Sequence, residues 1–131
     1  MRTHRQLFPL GALFLMVACS GGGGTTPTTP TTPTTPTVTN TITITAQGVS
    51  PSSIQITAGS RVRFVNNDTR AHNMASDPHP EHTTCSELNS VGLLTPGQSR
   101  ESGNLNTVRT CGFHDHDNPG TASLNGTVTI R

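Results

Sequence analysis

The sequence is poor in aromatic residues and has no lysine. Its 131 residues include no Trp, no Tyr and four Phe, of which only Phe64 and Phe113 lie in residues 38–131. A region of this length can bury one small hydrophobic core. The six arginines and seven acidic residues within residues 38–131 nearly cancel in charge. The basic face that nucleic-acid binding requires is therefore missing from the sequence, and we expect no nucleic-acid partner.

Sequence patterns typical of helical proteins, enzymes and membrane-spanning proteins are also missing. No segment keeps a sustained helical period in its apolar positions. No Ser-His-Asp arrangement and no pair of carboxylates placed for acid–base chemistry is present, so we expect a protein that is not an enzyme. The apolar run at residues 7–18 is shorter than the ~20 residues that span a bilayer.

The first 37 residues have the composition of a secretion signal followed by a linker. Residues 1–18 carry Arg2 and Arg5 before the apolar run, as in a signal peptide. Residues 19–37 are rich in Gly, Thr and Pro, and proline-rich linkers are extended and semi-rigid. This start resembles a bacterial lipoprotein signal, which implies that Cys19 is lipidated and anchors the protein to a membrane, in the periplasm or at the cell surface. The alternative is an ordinary secretory signal with an unmodified Cys19.

Residues 38–131 predict one all-β domain. Apolar residues, most of them β-branched, alternate with Thr along positions 38–46, and a period of two recurs at 61–66. Asn66-Asn67-Asp68 and Pro96-Gly97 have the chemistry of turns. Many short strands at close spacing are typical of a β-sandwich or barrel. Further strands are expected at residues 54–56, 107–111 and 126–130.

A short segment at the end of the expected strand 107–111, where we expect a turn to begin, has the composition of a metal site. It places Cys111, His114 and His116 within six residues. A soft thiolate together with imidazole nitrogens selects copper or zinc over harder cations. Five of the six histidines lie in residues 38–131, and histidine is the commonest metal ligand in proteins.

Several segments, in this order and spacing, resemble the cupredoxins, and plastocyanin among them. They are Ile54-Gln55-Ile56, Val62 to Asn67, His72-Asn73, Leu94 to Gly97, the Cys-x-x-His of Cys111 to His114, and Gly126 to Ile130. The resemblance implies a Greek-key β-sandwich with one copper at one end, held by His72, Cys111 and His114 in a type 1-like site. It implies that Asn73 ties the two ligand-bearing loops together. It also implies that the protein carries electrons to a redox partner protein.

The chain departs from this family at two places near the expected site. Leu124 stands where the family usually has the axial Met, so the axial position would carry a side chain that cannot bind copper. The segment after His114 is longer than in plastocyanin and holds the extra His116. We therefore treat His116, and also His79 and His82, as candidate additional metal ligands.

A second interpretation assigns the cysteines differently. Outside the cytoplasm, Cys85 and Cys111 are an even pair that can form a disulfide. A disulfide would remove the thiolate from the metal and draw His82 towards the site, leaving a copper-binding or copper-buffering lipoprotein with an all-His site. A domain this poor in aromatic residues would gain ~2–4 kcal/mol from such a bond. A third interpretation is a metal-free cupredoxin-like binding module.

Overall fold

The computed structural model describes residues 39–131. The predicted signal peptide at residues 1–18, Cys19 and the linker at 19–37 lie outside the described residues, so lipidation and membrane attachment stay predictions.

Nine β-strands and two short 3₁₀ helices make up the described part of the chain. The strands form two sheets, with the order β2-β1-β4-β7 in one and β3-β9-β8-β5-β6 in the other. The pairs β1–β4 and β3–β9 are parallel, and the remaining pairs are antiparallel. The strands are β1 (Thr41–Thr45), β2 (Gly48–Ser50), β3 (Ser53–Ile56), β4 (Arg63–Asn66), β5 (His72–Ser76), β6 (Gly92–Leu94), β7 (Ser99–Glu101), β8 (Arg109–Asp115) and β9 (Gly126–Ile130).

The hydrophobic core lies between the two sheets. In β1 the alternation of Thr with Ile buries Ile42 and Ile44 completely, because successive side chains point to opposite faces of a strand. Phe64 of the first sheet meets Phe113 of the second edge to face, with ring centroids 5.2 Å apart. This pair joins the two sheets across the core and accounts for both phenylalanines of the described chain.

The expected fold class, an all-β sandwich in a single domain, is confirmed. The turn at Pro96-Gly97 is also found, and Gly97 has the positive φ of 77° that this turn requires. One expectation for local structure is wrong. The sequence indicated that the strand containing Cys111 ends there and that a turn follows, whereas β8 continues without a break to Asp115.

A long connection between β5 and β6 packs against the second sheet at β5. It includes the first 3₁₀ helix, Ser86–Ser90, which buries Leu88 in the core. The second 3₁₀ helix, Ala122–Leu124, lies between β8 and β9. Within residues 39–131 we find no helix long and apolar enough to cross a membrane.

Candidate metal centre

Four histidines converge beside the end of β8. One nitrogen from each of His79, His82, His114 and His116 lies within 4.8 Å of the corresponding nitrogens of the other three. The closest pair of rings is His82 and His116, whose centroids are 4.8 Å apart and whose Nε2 and Nδ1 atoms, respectively, are 3.1 Å apart. We call these four side chains the histidine cluster.

Two histidines of the cluster share a face of the sheet because of the alternation along β8. His114 lies in the strand and His116 follows it two residues later, so both are on the same side. The backbone NH of His116 donates to the carbonyl of Asn73 at 2.7 Å, which extends the pairing of β8 with β5 beyond Asp115. The continuation of β8 past Cys111 therefore sets the positions of both rings.

The other two histidines come from the loop that follows β5. The backbone NH of His82 donates to the carbonyl of Pro78 at 2.7 Å, and this folds His79 and His82 into one tight turn. Asn89 holds the turn against the sheet. Its Nδ2 donates to the carbonyl of His82 at 2.8 Å, and its Oδ1 accepts from the backbone NH of Ser76 at 2.8 Å.

The four side chains of the cluster differ in how far they are buried. His114 is buried, His82 and His116 are half-buried, and His79 is exposed. Burial, together with the neighbouring rings of His116, His114 and His79, holds the pKa of His82 below its usual value of 6.5. A lowered pKa keeps this ring neutral near pH 7, which is the form that binds a metal ion.

His72, expected as a copper ligand, lies outside the cluster. In the β5–β8 register Ala75 is opposite His114, so His114 shares a face with Ala75 and Asn73, and His72 is on the other face. There its Nδ1 is 3.0 Å from Oδ2 of Asp115, and its Nε2 is 3.1 Å from Oδ2 of Asp68. Both ring nitrogens are occupied by carboxylates, so the structure does not present His72 to a shared metal ion.

The two carboxylates around His72 are held in their charged forms. The hydrogen bond from His72 is the main reason why the pKa of Asp68 is lowered from 3.8. Burial by itself would raise the pKa of Asp115, but hydrogen bonds from the backbone NH of Asn73, from His72 and from Asn118 outweigh it and lower the pKa. This buried hydrogen-bonded group of His72, Asp68 and Asp115 ties β5 to the segment that carries His114 and His116.

Cys111, the other central ligand of the expected type 1 site, forms a disulfide with Cys85. Both cysteines are fully buried. The expected trio of His72, Cys111 and His114 is therefore not brought together, for two reasons. The sulfur of Cys111 is bonded to another sulfur, and four residues of extended strand, ~13 Å, separate Cys111 from the Asp115 that holds His72.

The two remaining predicted site residues have other surroundings. Leu124, the candidate axial position, belongs to the hydrophobic core and is 4% exposed. Asn73 connects β5 to the histidine segment through its backbone. Its NH donates to Oδ1 of Asp115 at 2.9 Å, and its carbonyl accepts from His116. The side-chain amide of Asn73 is 3.5 Å from Oδ1 of Asp117.

The histidine cluster fits a metal ion that prefers nitrogen ligands. Nitrogens that share one ion at ~2 Å each can lie no more than ~4 Å apart, and the cluster approaches this spacing. Nε2 of His114 is buried and has no hydrogen-bond partner among residues 39–131. A buried polar atom left without a partner is costly, and a metal ion would supply the partner. Imidazole ligands suit copper, zinc, nickel and iron.

A cavity of about 330 Å³ lies beside the cluster. His82 and His116 contribute to its walls, as do Asn73, Glu81 and Asn89. The cluster therefore borders solvent-accessible space on the side of its half-buried members.

Solved structures with a similar fold include plastocyanin, a purple cupredoxin and amicyanin. The chain is similar to oxidised plastocyanin from Dryopteris crassirhizoma, with 25% identity over 70% of this chain and 99% of that one and a TM-score of 0.54. It is similar to a purple cupredoxin from Nitrosopumilus maritimus, with 20% identity, coverage of 70% and 98%, and a TM-score of 0.55. Amicyanin from Paracoccus versutus gives 18% identity, coverage of 70% and 79%, and a TM-score of 0.55.

No protein-family model matches the chain, and no curated protein sequence matches it either. The structural likenesses and the two-sheet topology show that residues 39–131 form a β-sandwich with a cupredoxin-like fold. The resemblance stated from the sequence is confirmed at the level of the fold.

Sequence reasoning missed the acidic residues that contact His114 and His72. Asp77 is 2.6 Å from His114, and Asp68 and Asp115 enclose His72. Asp115 gave no signal while a turn was expected after Cys111; because β8 continues, Asp115 points away from His114 and His116. The only signal for Asp77 was its position before the histidines of the loop.

Proposed function

We propose that the domain binds copper as a cargo through the histidine cluster and buffers or stores it, with Cys85 and Cys111 held as a disulfide. The observation that carries the proposal is the approach of four imidazole nitrogens to within 4.8 Å of one another. This is the second of the interpretations reached from the sequence. Electron transfer through a type 1 site finds less support, because that chemistry needs a thiolate ligand and Cys111 is bonded to Cys85.

Copper is preferred to other metals on two grounds. Copper(II) binds a given set of nitrogen ligands more tightly than the other divalent first-row metals, zinc included. The domain also shares its fold with plastocyanin and a purple cupredoxin. The exposed His79 and half-buried His82 leave a route by which an ion can enter and leave, as a buffering role requires.

Titration of the metal-free protein with copper(II), in competition with a chelator of known affinity, tests this proposal. We expect one copper per chain, tighter binding of copper than of zinc, and weak visible absorption. Because His82 and His114 would be direct ligands, His82→Ala and His114→Ala should each weaken binding by more than the ~10–100-fold typical for loss of an outer partner. Thr83→Ala, an exposed change in the same loop, serves as the matched control. An intense visible absorption of the copper-loaded protein would reveal a copper–thiolate bond and contradict the all-His site.

We further propose that the protein works outside the cytoplasm, attached to a membrane by a lipid on Cys19. The disulfide supports the location, because disulfides persist in oxidising compartments. Attachment rests on the sequence before residue 39. We expect wild-type protein in the membrane fraction of cells and a Cys19→Ser variant in the soluble fraction; equal partition of the two would contradict lipidation.

A further inference from the structure

The two ring nitrogens of His114 have different surroundings. Nδ1 lies 2.6 Å from Oδ1 of Asp77, whereas Nε2 is buried and has no partner among residues 39–131. A carboxylate beside Nδ1 favours the tautomer that carries its proton there. That tautomer has its lone pair on Nε2, the nitrogen that is left free to bind a metal ion.

Asp77 is held in place by the backbone on both sides. Its NH donates to the carbonyl of Gly112 at 3.0 Å, and its carbonyl accepts from the NH of Thr84 at 2.9 Å. Its side chain is 49% exposed. Asp77 thus stands at the junction of β5, β8 and the loop that carries His79 and His82.

The path from Asp77 to His114 crosses the surface of β8 at Gly112. A Cβ atom at residue 112 would overlap Oδ2 of Asp77 and lie 2.8 Å from its Cγ. The three nearest atoms to that Cβ all belong to Asp77. A side chain at position 112 would therefore displace this carboxylate and meet no other group as closely. The lack of a side chain at Gly112 is what allows Asp77 to reach His114.

We propose that Asp77 is a positioning residue of the metal site, and that Gly112 provides the space in which it acts. Asp77 selects the tautomer of His114, fixes the orientation of the ring, and adds a negative charge close to the bound cation. This role rests on the proposed function, since it needs a metal ion at the histidine cluster. Partners of this kind raise the basicity of a ligating histidine and commonly change metal affinity by ~10–100-fold.

A double-mutant cycle tests the proposal by copper competition titration of the full chain. Asp77→Ala should weaken copper binding ~10–100-fold. Asp77→Asn, which keeps an acceptor oxygen but loses the charge, should show a smaller loss. Gly112→Ala should weaken binding to a similar extent as Asp77→Ala, because it pushes the carboxylate away. In the Asp77→Ala background, Gly112→Ala should have almost no further effect, since the group it would displace is already gone. Gly120→Ala, which has open space around its Cβ among the described residues, should bind copper like the wild type.

The tautomer of His114 in the metal-free protein gives a second measurement that does not depend on copper. Nitrogen NMR of the neutral ring should show the proton on Nδ1 in the wild type and a shift towards Nε2 in Asp77→Ala. If the contact of Asp77 with His114 were purely structural, Asp77→Ala would change the free energy of unfolding. The copper affinities of the Asp77 and Gly112 variants would then not show the non-additive pattern described above. Additive losses in the double variant, or a proton on Nε2 in the wild type, would overturn the role of Asp77.

The two proposals fail in distinguishable ways. A wild-type protein that binds no copper overturns the proposed function and, with it, this role of Asp77. A wild-type protein that binds copper, with unchanged affinity in Asp77→Ala, overturns the role of Asp77 alone. Urea unfolding of each metal-free variant establishes that it is folded. If Asp77→Ala does not fold, the copper affinity of Asp77→Asn is compared with that of the wild type instead.

Discussion

Reduction of the Cys85–Cys111 disulfide should cost the domain a large part of its stability. The bond closes a loop with a sequence separation of 26 residues and joins the start of the first 3₁₀ helix to the middle of β8. In the chain-entropy description, a loop of this length removes about 12 cal/mol/K from the unfolded chain, which is about 3.5 kcal/mol at 25 °C. Single domains are stable by only ~5–15 kcal/mol, so we expect a weakened fold.

The assay is urea unfolding of the metal-free protein in the presence of a chelator, with and without a phosphine reductant. For a urea m value of about 1–1.5 kcal/mol/M, the midpoint of the reduced protein should be lower by roughly 2–3.5 M. The variant with both Cys85→Ala and Cys111→Ala is the matched control, and the reductant should leave its midpoint unchanged.

Opening the disulfide should also weaken copper binding. Cys85 lies three residues after His82, and Cys111 lies three residues before His114, so the bond links the two segments that supply the histidine cluster. The double alanine variant should therefore bind copper more weakly than the wild type. An unchanged urea midpoint on reduction, or two alkylatable thiols in the oxidised native protein, would refute this reasoning.

Three further predictions concern buried and titrating groups. His72→Gln should leave the copper stoichiometry unchanged but lower the free energy of unfolding by roughly 1–3 kcal/mol, because it removes a hydrogen-bond partner of the buried carboxylates of Asp68 and Asp115; loss of copper binding in a folded variant would show that His72 is a ligand after all. Proton competition at His82 should weaken copper binding only below pH 6.5, because the lowered pKa of His82 keeps that ring neutral down to a pH below this usual value; competition titrations from pH 8 to pH 5 measure this, and a profile that is flat over that range, or a loss already complete above pH 6.5, would contradict it. The stability that Asp68 contributes should be present above its unfolded pKa, near 3.8, and be lost as the pH falls through its lower folded pKa; urea unfolding of Asp68→Asn should show a shallower decline in acid than the wild type, and parallel curves would count against it.

The strands were predictable from the sequence because their signal is local. Alternating Ile and Thr at residues 41–45 place every second side chain on one face, and that pattern alone predicts a half-buried strand. The turn at Gly97 was predictable for a similarly local reason, because glycine adopts a positive φ at little steric cost. The order of such elements was enough for the resemblance to cupredoxins.

The members of the candidate site were not predictable in the same way. Whether β8 stops at Cys111 or runs on to Asp115 depends on its pairing with β5, and that pairing joins residues about 40 positions apart. Once β8 continues, alternation places His114 and His116 on one face and Asp115 on the other. His72 then meets Asp115 instead of a metal ligand.

Local sequence patterns therefore specify the class of fold, the turn at Pro96-Gly97, and the stock of ligands, which are five histidines and two cysteines in residues 38–131. Which of these side chains meet depends on contacts between segments that are far apart in the sequence. Cys85 is brought to Cys111 and the loop carrying His79 and His82 is brought to His114 by contacts between distant segments. The physical reason is that local patterns fix the direction of each side chain relative to its own strand, whereas a site depends on the register and faces of several strands at once.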